Sequence, residues 1–412
     1  MTTRTTPQAG HRLGTGQATA LLLGAVLGPG VLVLPHLSAA AAGPASVLAW
    51  AGLLVLSVPV ALTFAALGAR HPGGGGVAHF TAIAFGRRMS AVVGWWFFGA
   101  VPAGILAGAL VGGEYVAASL GWGGGTVLPV ACVLLAVAFA ANAAGLRTSG
   151  RLQTGLVALL VVLLVVTITL AAPLAEAGNF TPFAPEGAGG VVHAVGVLLF
   201  AFVGWEAASH LSGEVADRRR GLRTATVITL AVVGVLYVGL AVTAIGVLGA
   251  ETAATAVPLT ALLEAGIGEA ARPVTGVAAV LLTLGAINTY VAGASRLGTA
   301  LARDGMLPGW FARGPQRGLG LLAALTLALA VPVQAWHLDL DTLMRATSAC
   351  LAAVTVAGTA AAVRILPSGA ARRTAIIATV LSGVALLSCG DDLLVPVVLA
   401  SAGLLSARKG PV

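Results

Sequence analysis

Charge is what this sequence has least of. Asp, Glu, Lys and Arg together make up 9% of its 412 residues, against roughly 25% in soluble domains. With 58% hydrophobic residues and a mean hydropathy of +0.99, the chain cannot cover a water-facing surface, which excludes a soluble enzyme or binding module. Cysteine is almost as scarce. Cys132, Cys350 and Cys389 lie in or at the edge of apolar runs with no CxxC spacing, so a disulfide framework and a cysteine metal site are excluded and packing is left. Lysine occurs once, at Lys409. The chain also lacks HExxH, paired intramembrane aspartates and a nucleophile beside a base, as a membrane-embedded enzyme would need. The polar rings from which channels build a pore are missing too. No metal or cofactor is expected. A pI near 10.6 would point to nucleic acid in a soluble protein, but here the basic residues fall in particular loops. Topology accounts for them, and no nucleic-acid partner is expected.

What is there is a succession of apolar runs, each close to the 20 or so residues that cross a bilayer. They predict an all-α integral membrane protein of about twelve spans, one membrane domain over residues 1–412. The spans are 16–41, 45–68, 89–120, 126–144, 152–172, 191–211, 222–249, 273–302, 319–336, 342–363, 374–388 and 393–406. The polar N-terminal stretch, Met1 to Thr15, leads into a full-length span and does not read as a cleaved signal. His71-Pro72 and the four glycines after it read as a hinge, Val77 to Arg88 as a short interfacial helix, and Pro258 to Ile267 as an amphipathic piece in an outer loop.

With the N-terminus inside, the 22 basic residues divide unequally, and only Arg272 and Arg345 fall outside. Glu176, Glu186, Glu251, Asp339, Asp341, Asp391 and Asp392 fall in outer loops. The positive-inside rule therefore predicts both termini in the cytoplasm, with the chain in the cell's inner membrane.

Two spans carry interruptions. Gly28-Pro29-Gly30 divides span one, and Phe202-Val203-Gly204-Trp205-Glu206 divides span six. Pro29 removes a backbone donor, and the glycines tolerate angles that a helix excludes. Backbone groups freed at membrane depth are tolerated only where protein or a water-filled cavity satisfies them. Spans one and six are an odd number of crossings apart and run in opposite directions. That is the arrangement of inverted five-helix repeats whose broken helices surround a central site. The repeats would be 16–172 and 189–364, with 371–407 adding two further spans.

The broken ends supply the chemistry. Donors at Gly28, Gly30, Val31 and just beyond suit a carboxylate. The carbonyls near Ala25, Val26 and Leu27, and near Phe200 to Phe202, suit an ammonium group. Such a site recognises a zwitterion without a charged side chain. Phe202, Val203, Gly204 and Trp205 would line it, together with one or two aromatics of Trp95, Trp96, Phe97 and Phe98.

The motifs resemble those of the amino acid–polyamine–organocation superfamily of secondary transporters. Gly24-x-x-x-Gly28-x-Gly30-x-x-x-x-Pro35 is similar to its first-helix motif, and residues 71–80 to its hinge after span two. Asn179 to Pro185 is similar to its loop before span six, and Phe200 to Glu206 with Ser212-Gly213-Glu214 to its span-six signature. Ser295-Arg296 with Ala302 to Pro308 is similar to its end of span eight. Residues 76–80, 84–86 and 202–211 resemble, more specifically, the bacterial exporters of methionine and branched-chain amino acids. Two positions depart from the pattern: Pro29 replaces a small residue, and Trp205 an aliphatic residue or phenylalanine. The resemblance implies proton-coupled export of neutral apolar amino acids by alternating access, by a monomer or homodimer in the lipid bilayer. Uptake or exchange, including of cationic amino acids or polyamines, stays open.

Three ionisable residues remain. Glu206, beside the second break, is read as carrying the coupled proton or gating, and alternatively as a structural acceptor. Glu114 in span three and His36 after Pro35 are weaker candidates for the same roles. Span five carries no lysine, only Gln153 and Thr154 near its start, and hydroxyls such as Thr289 or Ser295 leave sodium coupling open. His193 and His210 are assigned to structure, and Arg218 to Arg220 to topology.

Overall fold

A computed structural model of the chain describes residues 14–71, 76–145, 150–208, 215, 220–303, 314–336 and 338–407. Several sequence expectations lie outside these residues: Pro72 and the glycines 73–75, His210, Ser212 to Glu214, Arg218 and Arg219, and Asp304 to Pro308.

The described residues form helices joined by short turns. In chain order the helices are α1 Thr15–Val26, α2 Leu34–Ala42, α3 Ser46–Arg70, α4 Gly76–Phe85, α5 Arg87–Leu120, α6 Val127–Ala143, α7 Gly150–Ala171 and α8 Gly187–Leu198. They continue with α9 Arg220–Leu248, α10 Pro258–Ile267, α11 Ala271–Arg303, α12 Pro315–Trp336, α13 Leu340–Ile365, α14 Ala370–Leu387 and α15 Leu394–Ala407. Ten helical stretches among them are long and apolar enough to cross a membrane, so the protein is an all-α, multi-pass membrane protein. The two interrupted segments of the sequence account for the remaining expected crossings: α1 with α2, and α8 with the turn at its C-terminal end. The interfacial helix and the amphipathic piece are present as α4 and α10.

The helix boundaries obey local chemistry. Gly86 at φ +84° separates α4 from α5, and Gly121 at φ +66° ends α5 in the left-handed conformation that only glycine adopts readily. Asp339 caps α13, its carboxylate accepting the Thr342 N–H at 3.0 Å. α5 is the central post: it packs along α11, α13, α15 and α6. α9 lies against α1 and α3, and α2 against α8. Small residues make the close crossings possible; a Cβ on Gly113 of α5 would sit 2.5 Å from the Val127 carbonyl oxygen of α6. Large apolar side chains such as Val380, Val384, Val397 and Val398 on α14 and α15 stay exposed, as lipid-facing residues do.

Helix direction alternates so that Arg70, Arg87, Arg151, Arg220, Arg303, Arg317, Arg364 and Arg372 fall at helix ends on one side of the bundle. Arg364 donates to the Ala84 carbonyl at 3.0 Å and lies 4.6 Å from the Phe85 ring centre, tying α13 to α4. On the opposite side Arg345 pairs with Asp392 at 2.8 Å and with Asp341 at 3.6 Å. This joins α13 to the 3-10 turn before α15. The cysteines are free thiols. Cys389 lies between α14 and α15, where burial, and then Asp392, push its thiol up to about 12, leaving it an inert packing residue.

Candidate functional site

The first interruption is built as its residues dictate. α1 stops at Val26, with Leu27 as its cap. Gly28 is extended at φ −99°, ψ 170°, and Pro29 opens a 3-10 turn over Pro29–Leu32, a position where a missing N–H costs nothing. α2 begins only at Leu34. The second half of span one therefore does not start as an α-helix at Gly30. The Gly28 N–H, expected as a donor to a ligand, turns back to the Val26 carbonyl at 3.1 Å. This short γ-type closure is centred on Leu27, at φ −79°, ψ 92°. The Val31 N–H, also expected as a donor, closes on the Gly28 carbonyl at 3.3 Å, and the Val33 N–H on the Gly30 carbonyl at 3.1 Å, so donor capacity is left to Gly30.

The second interruption has the same grammar. α8 runs into a 3-10 turn at Leu199–Phe202, and Val203 is extended. Gly204 sits at φ +110°, and Trp205 and Glu206 form the turn from which the Ala207 N–H reaches back to the Gly204 carbonyl at 3.0 Å. The Gly204 N–H donates to the Glu206 carboxylate at 3.0 Å. Glu206 thus closes the break from within.

The two interruptions dock on each other through their glycines. A Cβ on Gly204 would lie 2.3 Å from the Ala25 carbonyl oxygen, and one on Gly30 would lie 2.8 Å from the Phe200 ring. Backbone meets backbone at one contact and a ring fills the other.

Around this junction lies a cavity of about 440 Å³. Ala25, Val26, Leu27, Gly28, Gly30 and Val31 line it from the first break, and Val203, Gly204 and Glu206 from the second. Phe97 of α5 is the one aromatic of the 95–98 cluster that reaches it, and Thr289 reaches it from α11. The cavity extends to Gly24, Gln153 and Leu297, so it occupies the arginine-rich half of the bundle.

Two expected lining residues are elsewhere. Phe202 and Trp205 face away from the cavity. With three residues per turn at 199–202, Phe200 takes the cavity side. Phe202 joins a ring cluster with Trp50 at 6.0 Å and Tyr237 at 5.3 Å. The positive φ of Gly204 turns Trp205 into the bundle, where it is buried and donates from Nε1 to the Ser57 hydroxyl at 3.1 Å. Trp95 and Trp96 are held by Ser406 and the Pro396 carbonyl of α15, at 3.1 and 2.7 Å.

His36 and Glu114 do not reach the cavity either. They line a second pocket of about 540 Å³ with His193 and Asp341, and the His36 Nδ1 lies 3.3 Å from the Thr252 carbonyl oxygen. The 3-10 turn of the first break lies between the two spaces: Val31 lines the cavity, Val33 the second pocket, and Leu32 between them is buried.

The chain's three tyrosines all meet the first break, and sequence reasoning passed over them. Tyr115 of α5 donates to the Leu32 carbonyl at 2.6 Å. The Tyr237 hydroxyl of α9 lies 3.2 Å from the Val26 carbonyl oxygen. The Tyr290 hydroxyl of α11 lies 4.0 Å from where a Cβ of Gly28 would be. The signal was available, since a phenol inside an apolar span needs a polar partner and an interrupted backbone offers one. Among the described residues, no group of three or more His, Cys, Asp or Glu comes together to hold a metal ion.

The amino acid permease family matches residues 13–389. The chain belongs to that family. The permease is 31% identical to the uncharacterized amino acid permease YecA of Bacillus subtilis, over 94% of this chain and 93% of that protein. It is also 31% identical to the L-methionine/branched-chain amino acid exporter YjeH of Escherichia coli, over 81% of each chain. The branched-chain amino acid permease BcaP of Bacillus subtilis is 27% identical over 73% of this chain and 68% of its own length. The permease is thus a membrane transporter of the amino acid–polyamine–organocation superfamily with an amino acid as its small-molecule substrate, and not an enzyme.

Proposed function

We propose that this permease carries neutral, apolar amino acids (methionine, leucine, isoleucine and valine) by alternating access, exporting them across the cytoplasmic membrane in exchange for protons. The observation that carries the reading is the docked pair of broken helices. Their carbonyl ends and turn donors meet on one cavity whose remaining wall is mostly apolar. The α-carboxylate belongs at the turn after Gly28, at the Gly30 N–H. The ammonium belongs at the carbonyl ends near Val26 and Ala201, and the side chain at Phe97, Gly104 and Gly108. The cavity lies on the arginine-rich side, which the positive-inside rule assigns to the cytoplasm with both termini. In this reading the structure is loaded from inside and closed, by the 3-10 turn and the Arg345 ion pairs, toward the outside.

A second reading, uptake or exchange that includes cationic amino acids or polyamines, draws on the Glu206 carboxylate and the Tyr290 ring at the cavity wall. Counterflow in proteoliposomes with labelled amino acids, run with and without a pH gradient, separates the two. The leading reading expects exchange of methionine and the branched-chain amino acids, stimulated by the gradient. It is lost if none of them exchanges, and the second reading gains if arginine or putrescine does.

Side-chain size gives a finer test. A Cβ on Gly108 would find nothing nearer than Ile287 at 4.0 Å, so Gly108→Val is expected to fold and to put its methyl groups into the cavity. Exchange of methionine and leucine should fall by about tenfold or more relative to alanine, the scale on which apolar pockets discriminate by size. An unchanged preference in the same counterflow assay would move the side-chain pocket elsewhere.

A further inference from the structure

The geometry points to Tyr237 as the residue that positions the receptor for the substrate's amino group, an inference that rests on the reading of the cavity as an amino acid site. Its hydroxyl is 3.2 Å from the Val26 carbonyl oxygen and 3.2 Å from the Ala201 carbonyl oxygen. These two carbonyls close the first halves of the two broken spans, so one side chain from α9 bridges both breaks. The ring is fully buried and gripped edge-on by Trp50 at 5.2 Å and Phe202 at 5.3 Å. Tyr237, Val26 and Ala201 all line the cavity.

Counting donors decides what the arrangement does. A phenol has one proton, and a carbonyl oxygen has two lone pairs. The Val26 oxygen already accepts the Gly28 N–H at 3.1 Å, and the single Tyr237 proton, 3.2 Å from either carbonyl oxygen, serves one of the two at a time. Whichever carbonyl takes the proton, the other carbonyl oxygen and the phenol oxygen keep acceptor capacity at the cavity. An ammonium group, a cation with three donors, satisfies both at once. A carboxylate or hydroxyl at this place satisfies fewer of them, or is repelled. Tyr237 therefore fixes the spacing of the two carbonyl ends and supplies the second acceptor. It explains why Phe202, one residue beyond Ala201, faces the tyrosine ring instead of the cavity.

The test is binding of leucine and of two fragments to the purified full chain: isopentylamine, which keeps the amine, and 4-methylpentanoate, which keeps the carboxylate. Tyr237→Phe keeps the ring among Trp50 and Phe202 and removes only the hydroxyl. The expected result is an affinity for leucine and isopentylamine lower by about tenfold, the weight of one hydrogen bond to a charged group, with 4-methylpentanoate bound as by the wild type. Equal losses for the amine and the carboxylate fragments, or no loss for leucine, overturn the inference and leave the amino acid reading standing. A wild-type chain that binds no amino acid overturns both. Should Tyr237→Phe fail to fold, Phe202→Leu, which loosens the grip on the ring from outside the cavity, is expected to give the same selective loss in smaller measure; an unselective loss there overturns the inference equally.

Discussion

Gly204→Ala is expected to abolish exchange of every substrate. Two costs fall on the same carbon. An alanine at φ +110° is held in a conformation that costs of order 1–3 kcal/mol. Its Cβ would also lie 2.3 Å from the Ala25 carbonyl oxygen and 3.3 Å from the Val26 Cα. The obstacle is backbone, which cannot rotate aside as a side chain would, so the two breaks must separate. That separation moves the carbonyls at Val26 and Ala201 apart and pulls the Gly204 N–H off Glu206. The measurement is counterflow alongside the melting temperature of the purified variant. Gly52→Ala, where a Cβ meets nothing within 4 Å and which lies on α3 away from the cavity, serves as the control and is expected to behave as the wild type. An alanine at 204 that supports half of the wild-type exchange would show that the breaks do not dock as described.

The second large effect belongs to Glu206. Glu206→Gln preserves an acceptor for the Gly204 N–H, so the break and the cavity should persist and exchange without a gradient should stay near the wild-type level. What is removed is the only carboxylic acid on the cavity wall among the described residues. If that acid carries the coupled proton, stimulation by a pH gradient should fall by about tenfold or more, within the usual range of coupling free energies. Gradient-driven transport that survives intact would make Glu206 a structural acceptor. Glu206→Ala, which removes the acceptor too, is expected to lose exchange and coupling together, and comparing the two variants separates the proton from the hydrogen bond.

Much of this architecture was legible in the residues. The apolar runs gave the helices to within a few positions, because a bilayer span leaves little choice of length. Gly28-Pro29-Gly30 and Phe202 to Glu206 marked the breaks, because a proline flanked by glycines, and an acid two residues after a glycine, are costly in a helix at membrane depth. The side on which each residue falls was less legible. Phe202 and Trp205 were expected at the cavity because the break would aim them there, and a 3-10 turn leading to a glycine at positive φ turns them away from it. Aromatic bulk at a break was read as a binding surface, when Trp205 is instead anchored to Ser57. The tyrosines were missed for a related reason. In an apolar helix they look like packing residues, and only the convergence of α5, α9 and α11 on one short segment shows what their hydroxyls hold.

That convergence has a consequence for how this protein will look under mutation. The atoms assigned to the ligand's charged ends are backbone oxygens and amide hydrogens, which no side-chain replacement deletes. A saturation scan read as a map of ligand contacts would therefore register Val26, Leu27 and Ala201 only through the packing of their buried side chains. Its strongest signals would come from the glycines and the three tyrosines. Such a scan reports the scaffolding of the site, and the backbone atoms assigned to the ligand stay outside its reach.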